Sequence, residues 1–138
     1  MEHSMNDISI YRYNSCGETL HSAEIMHSKG RYVASLDRSF FSLFNGVRAI
    51  IAFDGIKSID HSEVTDYFIQ NYVKENEIFA DETAKWLAEA VESKEKEDWL
   101  DFYYPSEEES MTQIKRAKAF KAEVQKYLIS KGILEDKN

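Results

Sequence analysis

The spacing of apolar residues changes once along this chain, from a period near two to one near 3.6, and the change falls at Asp60. In residues 7–13 (DISIYRY), Ile8 and Ile10 alternate with Ser9, Tyr11 and Tyr13, the pattern of a half-buried strand. Asn14-Ser15-Cys16-Gly17 follows as a turn, and residues 19–28 fit a short helix or a strand equally. Lys29-Gly30 then breaks the chain before a second strand, Arg31 to Ser35. Asp37 can cap a short helix through Phe44, which Asn45-Gly46 can end. Val47 to Phe53 is short, apolar and rich in β-formers, so it reads as a central, doubly buried strand. Asp54-Gly55 suits a tight type I′ hairpin that returns Ile56 to Ile59 antiparallel.

Beyond Asp60 the pattern is helical. Asp60-x-x-Glu63 has the form of a capping box, and Val64, Tyr67, Phe68 and Tyr72 make an apolar stripe. A second helix starts near Asp81, with Ala84, Leu87, Val91, Trp99 and Phe102 roughly on one side, and ends before Pro105. Ser106-x-x-Glu109 repeats the box ahead of a third helix. Its stripe is Met111, Ile114, Ala117, Phe120, Val124, Tyr127 and Leu128, and Gly132 is placed to end it. The predicted fold class is α+β: a small N-terminal antiparallel sheet with a short helix, followed by three C-terminal α-helices. Residues 1–138 are expected to form a single domain, with a β-rich half (1–59) and a helical half (60–138).

Composition adds limits. Hydrophobic residues make up 43% of 138, with eight Phe, eight Tyr and two Trp, enough for a packed core rather than disorder. The single cysteine, Cys16, excludes an internal disulfide. The polar start, Met1 to Asp7, lacks the apolar stretch of a secretory leader, and the run Ala49 to Phe53 is too short to cross a bilayer. A cytoplasmic location is therefore expected. The net charge of −8 argues against direct contact with nucleic acid and against an anionic membrane surface.

That charge is sorted by position. Residues 1–59 balance six acids with six bases, 60–110 hold sixteen acids against four bases, and 111–138 hold three acids against seven bases. The acidic stretch also carries Trp86, Trp99, Phe102, Tyr103 and Tyr104. Spaced carboxylates with interleaved aromatics can present to a basic groove what nucleic acid presents, the rings supplying anchors and the field speeding encounter.

Other chemistry is thin. Cys16, His21 and His27 form the one tight Cys/His group, but one Cys and two His fall short of a zinc ligand set, so no metal is expected. Cys16 and His61 have the residue types of a nucleophile and its base, with no motif to join them. Asp54, Asp60 and Glu63 with Lys57 have those of a metal-dependent nuclease centre, although the turn and the cap already account for Asp54 and Asp60. The glycines at 17, 30, 46, 55 and 132 make no phosphate-binding loop, and no cofactor is expected on that ground.

One resemblance bears on the first half. Tyr11-Arg12, then Gly30-Arg31-Tyr32-Val33-Ala34-Ser35 and a Phe-rich helix, resemble the opening of ADP-ribosyltransferases. The resemblance implies that Arg12 and Ser35 hold NAD and that Glu77 activates the acceptor.

The leading expectation is an acidic, non-enzymatic binding protein. It would act as an inhibitor of the phage anti-defence type, docking on the basic surface of a protein that handles nucleic acid. Its docking residues would be Glu92, Glu95, Glu97, Asp98, Trp99, Asp101, Tyr104, Glu107, Glu108 and Glu109. The alternative is an ADP-ribosyltransferase-like enzyme that uses NAD to modify a protein partner. Lys115, Arg116, Lys118, Lys121 and Lys126 add a third option. They can pair with the acidic block of a second copy, giving a homodimer, or with that block in the same chain.

Overall fold

The computed structural model describes residues 4–99 and 103–136, with residues 97–99 described by backbone alone. The described residues form five α-helices and no strand. These are α1 (Met5–Ser28), α2 (Tyr32–Ile51), α3 (His61–Phe68), α4 (Asp81–Trp99) and α5 (Glu107–Ser130). A wider π-helical stretch, Ile69–Glu75, continues α3.

The α+β expectation is thus corrected, and the reason lies in how α1 and α2 meet. They form an antiparallel pair joined by three residues. In α1 the buried residues are Ser9, Cys16, Leu20 and Ala23, a stripe of three- and four-residue steps made mostly of small or polar side chains. The facing stripe of α2 includes Ser35, Ser42 and Ala49. Three hydroxyls cross the seam: Ser9 donates to the Ala49 carbonyl at 2.7 Å, Ser42 to Cys16 at 2.9 Å, and Ser35 to Ala23 at 2.8 Å. The rungs step by seven residues on both helices in opposite directions, the register of a knobs-into-holes pair. Burial on this scale by Ser and Ala leaves little apolar periodicity, so Ile8 and Ile10 imitate a strand where the backbone is helical.

The other strand readings fail with it. Arg31 to Ser35 enters α2, and Val47 to Phe53 is mostly its last turns, where Val47, Ala49, Ile50 and Ile51 are buried. Asp54-Gly55 does form a turn, with Gly55 at φ +71°, but it leads from a helix into an irregular loop rather than into a hairpin strand. Asn45-Gly46 does not end a helix. A Cβ on Gly46 would stand 2.8 Å from Phe120 Cε2, so α5 packs there at a distance only glycine allows.

Downstream, Asp60 caps α3 by accepting from the Glu63 amide at 3.0 Å, and Ser106 caps α5 through the Glu109 amide at 3.0 Å. Ile114, Ala117, Phe120, Val124 and Leu128 of α5 are buried against α1, α2 and an aromatic group of Phe68, Tyr72 and Phe79. Gly132 follows α5 at φ +72°. Lys94 of α4 reaches Asp37 of α2 at 2.6 Å, and its ammonium lies over the Phe41 ring. No helix among the described residues is long and apolar enough to cross a membrane.

Candidate functional site

Polar and cationic groups converge where α1, the C-terminal half of α2 and the start of α3 meet. Arg12 projects from α1 and donates from Nη1 to Asn45 Oδ1 at 3.1 Å. Arg48, one turn further along α2, donates from Nη1 to the Ser58 carbonyl at 2.8 Å. The two guanidiniums are close enough to interact. Burial, and after it the charge of Arg12, holds the Arg48 guanidinium below its usual proton affinity. No carboxylate among the described residues lies within ion-pairing distance of either.

His61 completes the group as the first residue of α3. Its ring is set by three phenylalanines of α2, with centroids 4.4 Å away at Phe44, 4.9 Å at Phe40 and 5.8 Å at Phe41. Phe44 also lies beneath Arg48, whose guanidinium carbon is 5.9 Å from the ring centre. One aromatic ring thus links the cation and the imidazole. Phe40, Phe41, Phe44 and Arg48 share a helical face, because α2 runs on through Gly46.

The carboxylates expected to dock a partner are spread over two elements. Glu92 is exposed on α4 and pairs with Lys96 at 3.6 Å, and Glu95 is exposed one turn from α4's end. Glu97, Asp98 and Trp99 close α4, and their side chains lie outside the described set, as does Asp101 altogether. Tyr104 is 75% exposed. Glu107, Glu108 and Glu109 are exposed in the first turn of α5, where carboxylates suit the positive end of a helix, and Glu109 accepts from the Tyr103 hydroxyl at 3.0 Å. Two of the basic residues of α5 find acids in their own chain. Arg116 bonds Glu89 at 2.7 Å, and Lys118 bonds Glu24 at 3.1 Å.

The remaining candidates separate. Cys16 is buried in the α1–α2 seam, 3.5 Å from the Ser42 hydroxyl, and burial pushes its thiol pKa up, the opposite of an activated nucleophile. His27 contacts the Ser110 hydroxyl at 2.8 Å while His21 is exposed, and no three His, Cys, Asp or Glu groups cluster among the described residues. Asp54 accepts from two tyrosines, Asp60 caps α3, and Glu63 accepts from Ser58 at 2.6 Å, so each carboxylate has its own structural task. Ser35 is fully buried and gives its hydroxyl to α1, and Glu77 sits in a turn at φ +51°. Ser35 is thus turned into the helix seam rather than toward an NAD, and Glu77 is placed by a turn outside the helices, so the acceptor-activating role implied for it has no matching site.

Arg48 carried no functional weight in the sequence, and His61 entered only as a partner for Cys16. The signal was a helix face with period 3.6 through Phe40, Phe41, Phe44 and Arg48, hidden by dividing α2 at Asn45-Gly46.

The protein named "Putative toxin MJ0142", from Methanocaldococcus jannaschii, is 26% identical over 121 residues, covering 88% of this chain and 82% of that one. The model of the HEPN domain matches residues 11–127, a span that takes in Arg12, Arg48 and His61. These likenesses, together with the helical fold, overturn two expectations: the acidic inhibitor of anti-defence type and the ADP-ribosyltransferase-like enzyme using NAD. With most of its length matched, the chain belongs to the HEPN domain family.

Proposed function

We propose that the protein is a toxin-type ribonuclease that cleaves RNA at the Arg12, Arg48 and His61 cluster. Family membership and the toxin name of its relative support the class. The observation that carries the site is local: two interacting guanidiniums without a carboxylate partner among the described residues, beside a histidine, in a chain of net charge −8. Acids dominate the molecule as a whole, and at this pair of guanidiniums the positive field is not cancelled by a neighbouring described carboxylate.

In this reading Arg12 and Arg48 hold the scissile phosphate and offset the charge that gathers on its oxygens. His61 takes the proton of the neighbouring ribose 2′-hydroxyl, the general-base role that imidazole fills most often. The 2′-oxygen bonds to phosphorus, the bond to the 5′-oxygen breaks, and that oxygen leaves with a proton from solvent. The products are a 2′,3′-cyclic phosphate and a 5′-hydroxyl.

The test is a cleavage assay on end-labelled single-stranded RNA with analysis of the new termini. Wild-type protein should yield cyclic phosphate ends. His61→Ala should slow cleavage by about 100-fold or more, the usual weight of a general base. Cleavage by a correctly folded His61→Ala protein at the wild-type rate would refute the assignment.

A further inference from the structure

The C-terminal ends of α2 and α5 border a cavity of about 300 Å³, whose walls include Phe53, Asp54, Tyr72, Tyr127 and Lys131. None of Arg12, Arg48 and His61 lines it. At one side stands the Asp54 carboxylate, whose Oδ2 accepts from the Tyr72 hydroxyl at 2.6 Å and from the Tyr67 hydroxyl at 2.9 Å. Those two bonds fill the acceptor positions of Oδ2 and fix the carboxylate's orientation, leaving the two positions on Oδ1. Burial, then the hydrogen bond to Asp54 and its charge, raises the pKa of both phenols, so they stay protonated donors to an anion.

The walls favour the same sign of ligand. Phe53 is 48% exposed, and with Tyr72 and Tyr127 it offers aromatic rings to the space. A cation is already seated on one of them: the Lys131 ammonium lies 5.6 Å from the Tyr127 ring centre. Two helices also end here, α2 at Ile51 and α5 at Ser130, and helix C-termini carry the negative end of the dipole. Carboxylate, rings and helix ends all select positive charge.

We propose that this cavity binds a primary alkylammonium group, which displaces Lys131 from Tyr127 and meets the exposed Asp54 carboxylate in the cavity wall. The group can come from a free amine or from a lysine side chain of another polypeptide, since both present the same –CH₂–NH₃⁺ end.

The experiment is an NMR titration of the full chain, following the backbone amides of Phe53, Gly55 and Gly132. The probes are n-butylammonium, 1,4-diaminobutane and N-acetyl-lysine methylamide, with butanol and butyrate as neutral and anionic controls of equal length. Saturable shifts are expected with the ammonium probes alone, and comparing the amines with the lysine derivative identifies the source. Asp54→Asn should weaken binding about 2- to 5-fold, the loss of one solvent-exposed ion pair. Lys131→Ala removes the resident competitor and should tighten binding several-fold. Phe53→Ala, at an exposed ring, should weaken it without affecting the fold if Asp54→Asn proves unstable. Equal binding of butanol, absence of saturation by every ammonium probe, or weaker binding in Lys131→Ala would overturn the proposal.

Discussion

Helix α2 is held on two sides by different kinds of contact. Toward α1 it presents serines whose hydroxyls bond to the carbonyls of α1, together with alanine, so the two backbones run close together. Toward α5 it meets large side chains: Phe120 and Val124 press on Gly46, and Phe120 goes on to touch Phe68 and Phe79, with ring centres 6.0 Å away in each case. The first interface fixes register through directional bonds at seven-residue steps. The second supplies apolar area, which is non-directional and much larger per residue. Their responses to mutation should therefore differ in size and in sign.

The largest expected effect belongs to the α5 side. Phe120 is fully buried between Phe68, Phe79 and Gly46. Phe120→Ala should lower unfolding free energy by about 3–5 kcal/mol, the range for removing a core phenylalanine. Urea denaturation followed by circular dichroism measures it. A loss below 1 kcal/mol would mean that the aromatic core is not where the stability resides.

The two interfaces also differ in how far the sequence reveals them. The α5 stripe is legible because Ile114, Phe120, Val124 and Leu128 are large, apolar and spaced as a helix requires, and because Ser106 and Gly132 mark its ends. The α1–α2 seam is not, because most of its buried residues, among them Ser9, Cys16, Ala23, Ser35 and Ser42, are ones a hydrophobic pattern counts as surface or as neutral. A strand reading of the seam also divides the helix face that carries Phe44 and Arg48. The loss of the candidate site follows from the loss of the helix. The pairing of Arg12 with Asn45 depends on the α1–α2 register, which becomes visible only once the serine rungs are known.

Gly46 is where α5 presses closest on α2, and a single methyl group there tests how tightly that contact is closed. An alanine Cβ would fall 2.8 Å from Phe120 Cε2 and 3.3 Å from Val124 Cγ2, and Phe120 is fully enclosed. Alanine gains about 1 kcal/mol over glycine in a helix interior. Overpacking a closed core costs about 1–3 kcal/mol. The clash should win, so Gly46→Ala should destabilise by up to about 2 kcal/mol, read as a lower urea midpoint with an unchanged slope. Stabilisation instead would show that α5 can slide away from α2 at little cost. Loosening that contact with Phe120→Leu should then recover part of the loss, because the double mutant removes the atoms that collide.

The seam should give the smallest effects and the only gain. Ser42 and Ser39 are both fully buried on α2, three residues apart, and both side chains have the same shape. Ser42 donates to the Cys16 carbonyl at 2.9 Å, whereas the Ser39 hydroxyl has no hydrogen-bond partner among the described residues. Replacing Ser42 by alanine forfeits a hydrogen bond worth about 0.5–1.5 kcal/mol net. Replacing Ser39 by alanine forfeits none and removes a buried unsatisfied hydroxyl, whose desolvation costs about 1–3 kcal/mol. Alanine's better helix propensity adds up to about 0.5 kcal/mol in both cases, so it cannot create a difference between them. Ser42→Ala should therefore destabilise slightly, and Ser39→Ala should stabilise by about 1 kcal/mol, measured side by side by urea denaturation. Opposite signs would show that directional bonding, and not the small size of its residues, sets the energetics of the seam. Equal shifts would show that close backbone packing alone holds α1 against α2, with the serines serving only as side chains small enough to permit it.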